Sequence, residues 1–272
     1  MGKTFAPTRE HTPEGWVIYP SDVQYRKVYF IPESFQHPAK MVCFMLEDIV
    51  DYVSEPGETI LDPMAGTGTL MLAALKGRKV VLLEDSSLYH MFQQMSADLF
   101  AQRGVSPAHI TCLHGPCQDY LPMPCDHVIF SPPYSSVLKF KVRHESTAAL
   151  GGSTYTEGGA QYFDEYLGES AKNLGRFQPF QYNMEMSRIY GLLLKSVRPG
   201  GTMTVVVQDV MRGGEREPIT DWVMRTCVKQ GWVLKDWFDR YTTGTGYKKS
   251  MKAKGFKVVE NESIIILERP NA

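Results

Sequence analysis

The sequence lacks most features that would take it out of an ordinary globular class. It has only five cysteines in 272 residues and no C-x-x-C pair. That excludes a disulfide framework and fits a reducing compartment. No run approaches the roughly 20 apolar residues of a membrane span. The opening stretch MGKTFAPTREHTPEGW carries prolines and charges where a signal peptide needs an apolar core. Ala6 stands where a myristoylation signal needs a hydroxyl, so a cytoplasmic location with no membrane contact is expected. Net charge is nearly absent: 29 basic against 30 acidic side chains, or −1. The total therefore points to no nucleic-acid partner. There is no G-x-G-x-x-G, no P-loop lysine, no internal repeat and no low-complexity tract. With 43% hydrophobic and 22% charged residues, the chain reads as one large α/β domain over 1–272.

What the sequence does contain is alternation. Residues 1–36 are rich in proline and aromatics without a clean period and read as an ordered arm or lid. Apolar side chains at Val42, Met45, Leu46, Ile49 and Val53 have helical spacing over 38–53. Strands are then expected at 59–61, 79–83, 109–113 and 127–130. Helices at 69–76 and 87–102 lie between them, each closed by a glycine, Gly77 and Gly104. Such alternation implies βαβ units and a parallel sheet. Residues 135–182 break the pattern with six glycines among aromatics, including Tyr155, Tyr162, Phe163, Tyr166, Phe177, Phe180 and Tyr182. A stretch this long reads as a functional insertion. The aromatics read either as a satellite hydrophobic cluster or as stacking groups for an opened duplex. Regularity returns with a helix at 183–197, a turn at V-R-P-G-G (197–201) and a strand at 202–208. A helix at 219–230 and strands at 232–238 and 263–267 follow. Residues 240–257 hold Arg240, Lys248, Lys249, Lys252, Lys254 and Lys257 and no acid, leaving −7 for the rest of the chain. They read as a basic hairpin, either simply solvated or tracking phosphates.

Three short motifs carry chemistry. Asp62-Pro63-Met64-Ala65-Gly66-Thr67-Gly68-Thr69 joins a strand to a helix. Its glycines let backbone approach a ligand closely, and the helix start offers unpaired N–H groups. Asp62, at a strand's carboxyl end, suits a cation such as an amino group, and ligands of open parallel sheets bind at that edge. Glu84-Asp85 ends the next strand, where an acid can hold a ribose diol. Ser131-Pro132-Pro133-Tyr134 follows a third strand. There the prolines stiffen the chain and fix the Pro132 carbonyl as an acceptor, Ser131 offers a second, and Tyr134 a flat ring. Two acceptors beside a stacking surface suit a planar exocyclic amine. Accepting from both N–H groups draws the nitrogen lone pair out of conjugation and makes it nucleophilic. Cys112, His114, Cys117, Cys125 and His127 crowd together, but Cys112 lies on an expected buried strand, and no metal site is expected.

In combination, D-P-M-A-G-T-G-T followed by S-P-P-Y resembles the S-adenosylmethionine-dependent amino-methyltransferases of DNA, which make N4-methylcytosine or N6-methyladenine. N-L-G (173–175), V-R-P-G-G (197–201), Q-D-V-M-R-G-G (208–214) and the terminal E-S-I-I-I-L-E-R-P keep that family's order. The resemblance covers about residues 20–270 and implies a seven-stranded Rossmann-like class I methyltransferase sheet whose last strand is antiparallel. It implies that Asp62 takes the cofactor's amino group, that Pro63, Ala65, Gly66, Thr67, Gly68 and Thr69 line the cofactor, and that Glu84 and Asp85 serve its ribose. His37-Pro38-Ala39 resembles the H-P-A motif that closes the pocket. It also implies that Ser131, Pro132, Pro133 and Tyr134 hold a base rotated out of the duplex. Serine before P-P-Y accompanies cytosine N4 more often than adenine N6.

One position departs from the family. Pro116 stands where an acid usually meets the cofactor's adenine, and Asp119 is the expected substitute. The insertion and the basic segment, with Arg240, Lys248, Lys249, Lys252 and Lys254, are the expected DNA contacts, together with the arm. The alternatives are adenine N6, an RNA base amine, a protein glutamine amide, or a non-catalytic cofactor binder. The oligomeric state is open, a homodimer being common in the family.

Overall fold

The computed structural model describes residues 3–36, 40–133, 170–212, 214–242 and 246–271. The chain begins with β1 (Glu10–His11), β2 (Val17–Ile18), α1 (Val23–Tyr29) and α2 (Cys43–Val53). It continues through β3 (Thr59–Asp62), β4 (Lys79–Glu84), α3 (Ser87–Gln102), β5 (Ile110–His114), α4 (Cys117–Tyr120) and β6 (Cys125–Phe130). After residue 170 come α5 (Pro179–Ser196), β7 (Val197–Val207), β8 (Val210–Arg212), β9 (Glu215–Glu217) and α6 (Ile219–Gln230). The chain closes with β10 (Val233–Tyr241), α7 (Gly246–Ala253) and β11 (Asn261–Glu268). Residues Thr69–Lys76 form a 3-10 helix ending at Gly77, whose φ is +76°.

Among the described residues the main sheet runs β1-β2-β10-β11-β7-β6-β3-β4-β5. Strands β3 to β7 are parallel, and β11 is antiparallel to both β7 and β10. The seven strands from β5 to β10 are the expected sheet with its antiparallel last strand. The apolar runs TILD, KVVLLE, CDHVIF and SIIIL sit in its middle because both faces are covered there. Alternate residues serve the two faces. Ile60, Ile129, Val206, Ile264 and Ile266 pack with Met45, Leu46 and Ile49 of α2. Leu61, Val128, Phe130, Val205 and Ile265 pack with Ile189 and Tyr190 of α5 and Val223 of α6.

The structure decides one expectation between its alternatives and corrects two. Residues 3–36 form an ordered arm built onto the sheet. Their strands β1 and β2 extend the sheet to nine, and Phe5 stacks on Phe238 with ring centroids 4.3 Å apart. Helix α5 starts at Pro179, not 183, with its proline in the first turn, where the missing N–H is harmless. The segment 240–257 is not a hairpin but the end of β10 followed by α7.

The V-R-P-G-G turn also proves to be part of β7. Its pairing with β6 jumps from Cys125↔Val197 to His127↔Thr202. A Cβ at Gly201 would lie 2.1 Å from the Asp126 carbonyl oxygen, so only glycine lets the two strands approach there.

Candidate active site

A cleft of about 460 Å³ opens at the carboxyl edge of the parallel strands, within the range of small-ligand sites. Its floor comes from the ends of β3, β4, β6 and β7, and from the facing ends of the antiparallel pair β10 and β11.

One half follows β3. Asp62 is 7% exposed, and its Oδ1 accepts from the Met64 N–H at 2.9 Å. That is its only side-chain hydrogen bond among the described residues. Burial pushes its carboxyl up to about 7, which the Met64 N–H only partly offsets. The glycine turn beyond it is fixed from several sides. The Ala65 N–H donates to the Leu83 carbonyl at 3.0 Å. The Gly66 N–H donates to Glu84 Oε2 at 2.7 Å, and the Gly66 carbonyl accepts from Gln93 Nε2 at 2.7 Å. Gly68 has φ +78°, and a Cβ there would meet Met71, Gln93 and Leu82 at 3.0–3.3 Å.

Glu84, at the end of β4, also accepts from the Ser86 N–H at 2.8 Å. Burial pushes its carboxyl up to about 8, with Asp85 and Asp62 adding repulsion. Each oxygen accepts one N–H and keeps a lone pair free. Glu84 is thus both a ligand-facing acid and the brace of the glycine turn. Asp85 accepts from Asn173 Nδ2 at 3.0 Å, and burial raises its pKa. Asn173 meanwhile caps the 3-10 helix Leu174–Arg176 through the Gly175 N–H at 2.9 Å. The N-L-G motif therefore has a physical role, which is to tie the returning chain to the acid pair.

The expectation for Asp119 needs correction. The residues of this region that line the cleft are Pro116, Cys117 and Gln118. Asp119 forms an ion pair with Lys172 instead, and Gln118 Nε2 donates to the Lys172 carbonyl at 3.1 Å. Burial pushes the Cys117 thiol up to about 12, so it is a neutral wall. Among the described residues no three His, Cys, Asp or Glu side chains converge on one point.

The other half follows β6. Ser131, Pro132 and Pro133 line the same cleft as Asp62 and Glu84, and Pro132 is buried. Gln208, just after the neighbouring β7, and Arg240, Thr242 and Glu262, at the ends of β10 and β11, line it as well. Arg240 and Glu262 face each other across β10 and β11, with Nε donating to Oε2 at 2.6 Å. Lys252 pairs with Glu260 at 2.7 Å, while Lys254 is exposed. Tyr134, His37, Pro38 and Ala39 lie outside the described residues, as do the side chains of Lys248 and Lys249.

Sequence reasoning gave no role to Gln208, Thr242 and Glu262, and it missed Lys40. The Lys40 ammonium lines the cleft and donates to the Phe35 carbonyl at 2.7 Å, and burial lowers its pKa to about 8. Arg26 was missed as well. It is 4% exposed and donates to Thr69 Oγ1, Asp22 and the Met41 carbonyl, tying the start of the chain to the glycine turn. No local signal marks Arg26, which stands beside Lys27 in the sequence, whereas Lys40 directly follows His37-Pro38-Ala39.

No protein-family model matches the chain, and no curated protein sequence matches it. Solved structures do match. An S-adenosylmethionine-dependent methyltransferase from Methanosarcina mazei aligns with a TM-score of 0.50 at 11% identity, covering 82% of this chain and 98% of that one. Geranyl diphosphate methyltransferase, solved with geranyl diphosphate and sinefungin, aligns with a TM-score of 0.50 at 13% identity, covering 83% and 78%. TrmN from Thermus thermophilus gives 0.49 at 14% identity, covering 87% of this chain, which spans about half (51%) of TrmN's length. The sheet order and the first two likenesses show the fold, that of Rossmann-like, class I methyltransferases. At such identities they fix the fold and not the reaction. Among the described residues no helix is long and apolar enough to cross a membrane.

Proposed function

We propose that this protein transfers a methyl group from S-adenosylmethionine to the exocyclic amine of a base in DNA, with N4 of cytosine as the target. The observation that carries this reading is that Ser131 and Pro132 share one cleft with Asp62 and Glu84. The residues of the first half fit the cofactor. Asp62 is a buried carboxylate without a cationic partner among the described residues, suited to a methionine ammonium. Glu84 has lone pairs left for a ribose diol, and the Gly66–Gly68 backbone gives close approach. When bound, the cofactor supplies a methyl on a sulfonium, an electrophile whose leaving group departs as a neutral thioether.

The chain's own contribution is alignment and polarisation. Ser131 Oγ and the Pro132 carbonyl accept from the two amine N–H groups, which localises the lone pair on nitrogen. After transfer, the nitrogen's extra proton passes to water. Holding nucleophile and methyl in line supplies a large share of the rate. A DNA substrate is supported by the +6 segment around α7, whose first member, Arg240, stands at the cleft.

Nucleoside mass spectrometry tests the proposal. DNA from cells expressing the protein is digested and compared with DNA from a Pro132→Ala control. N4-methylcytosine found only with the intact protein is the expected result. N6-methyladenine keeps the reaction class and overturns the reading of Ser131. No modified DNA base, with methyl incorporated into RNA or protein, overturns the DNA substrate.

A further inference from the structure

The cleft that Ser131 and Pro132 line also holds a charge that cofactor binding does not use. Arg240 and Glu262 are cross-strand partners whose side chains are each 16% exposed. The Arg240 Nε donates to Glu262 Oε2, and among the described residues no other nitrogen of this guanidinium has a hydrogen bond. Glu262 therefore holds the guanidinium by Nε, and its two terminal nitrogens remain as paired donors on a residue that lines the cleft. An arginine fork is a fixed two-donor device that matches two adjacent acceptors.

The sheet sets the span between Ser131 and Arg240. From β6 to β10 there are three strand spacings, through β7 and β11, or about 14 Å. The Arg240 side chain covers part of this, and a pyrimidine ring with a hydrogen bond at each end covers the rest. Cytosine presents N4–H₂, N3 and O2 along one edge. With N4 held at Ser131 and Pro132, N3 and O2 are two adjacent acceptors beyond it. Adenine presents N6–H₂, then N1, then a C–H, so it has one acceptor where the fork has two donors.

We infer that Arg240, held by Glu262, reads the N3 and O2 acceptors of the target cytosine and sets the enzyme's choice of base. This rests on the function proposed above and goes beyond a phosphate contact for Arg240. Arg240 is then a substrate-binding residue and Glu262 a positioning residue.

The test compares the wild type with R240Q and R240K. Rates are measured with methyl-tritiated S-adenosylmethionine on genomic DNA free of cytosine and adenine methylation, with nucleosides separated after digestion. Affinity for S-adenosylhomocysteine and the salt dependence of DNA binding are measured alongside. N4-methylcytosine formation is expected to fall about 100-fold in R240Q and about 10-fold in R240K, which keeps the charge without the fork. Cofactor-product affinity and salt slope should stay unchanged. If R240Q loses S-adenosylhomocysteine affinity and so has not folded, R240K, which can keep an ion pair with Glu262, decides alone.

A loss below threefold in the folded variants overturns the inference. A loss accompanied by a salt slope lower by about one also overturns it, since that is the mark of a phosphate contact. Wild-type protein that makes N6-methyladenine overturns it because adenine lacks the second acceptor. Wild-type protein that methylates no base overturns the proposed function, and the reading of Arg240 with it.

Discussion

The two halves of the cleft are built in opposite ways. The acid half comes from two contiguous runs, 62–69 and 84–85, on neighbouring strands. Its parts hold one another: Glu84 braces Gly66, Gln93 braces the same residue's carbonyl, and Asn173 braces Asp85. The amine half takes Ser131 and Pro132 from just after β6 and joins them with single residues at or just beyond the ends of β7, β10 and β11, up to 131 positions away in sequence. Binding a common cofactor suits a compact, self-braced turn. Choosing a target suits scattered positions that can change one at a time without disturbing that turn.

If this division holds, substitutions should separate cleanly into two kinds. The largest effect belongs to the amine half: Ser131→Ala, which removes the Oγ acceptor, should lower kcat by about 100- to 1000-fold, the scale of losing one preorganised polar contact. Cofactor affinity by calorimetry should stay within twofold. An equal loss of both would merge the halves. Next, Asp62→Asn should weaken S-adenosylmethionine binding by about 10- to 100-fold while leaving kcat at saturation largely intact.

The raised carboxyl pKa of Asp62 adds a pH signature. Cofactor affinity should fall as pH drops below about 7, approaching tenfold per unit, and the slope should vanish in Asp62→Asn. Stability without ligand should run the other way. The folded pKa values of Asp62 and Glu84, about 7 and about 8, exceed unfolded values near 4, so the native state binds more protons between them. Their contribution is fully present below about pH 4 and is lost as pH rises toward 8. Thermal melts of Asp62→Asn against wild type across that window check the sign.

Smaller again, Gly68→Ala should cost about 1–3 kcal/mol in denaturant unfolding, because φ +78° and a 3.0 Å contact both oppose a Cβ. The least effect is expected for Asn173→Ala, a few-fold in cofactor affinity, since it removes one partner of Asp85 and leaves the glycine turn intact.

The same contrast explains what could be read from sequence. The parallel strands β3 to β7 followed from apolar runs such as KVVLL punctuated by glycines, because period and breakers are local properties, whereas the antiparallel β11 came only from the resemblance. Helix α3 was legible to its last residue for the same reason. The acid half was legible because its chemistry is contiguous. Gln208 and Glu262 open two of the quoted motifs, but no role followed for them or for Thr242, because only the strand order brings them to the same cleft as Ser131. The first residues read as an arm or a lid without a way to choose, because strands of two residues carry no period and the partners that settle it, Phe238 for Phe5 and Arg240 for Val17, lie more than 200 positions away. Asp119 was chosen by chemical type, but α4 presents the residues just before it to the cleft, and Lys172 claims its carboxylate.

Pro133 and Lys172, the points where the chain leaves the cleft wall and returns to it, both line the same cavity, and Asn173 ties the return to Asp85. The separation of those two ends is therefore set by the sheet, whatever lies between them. The anchor residues thus belong to the cavity wall as much as the acids do, and a change at Asn173 would be felt both at Asp85 and at the first turn of the chain after it, through the Gly175 N–H.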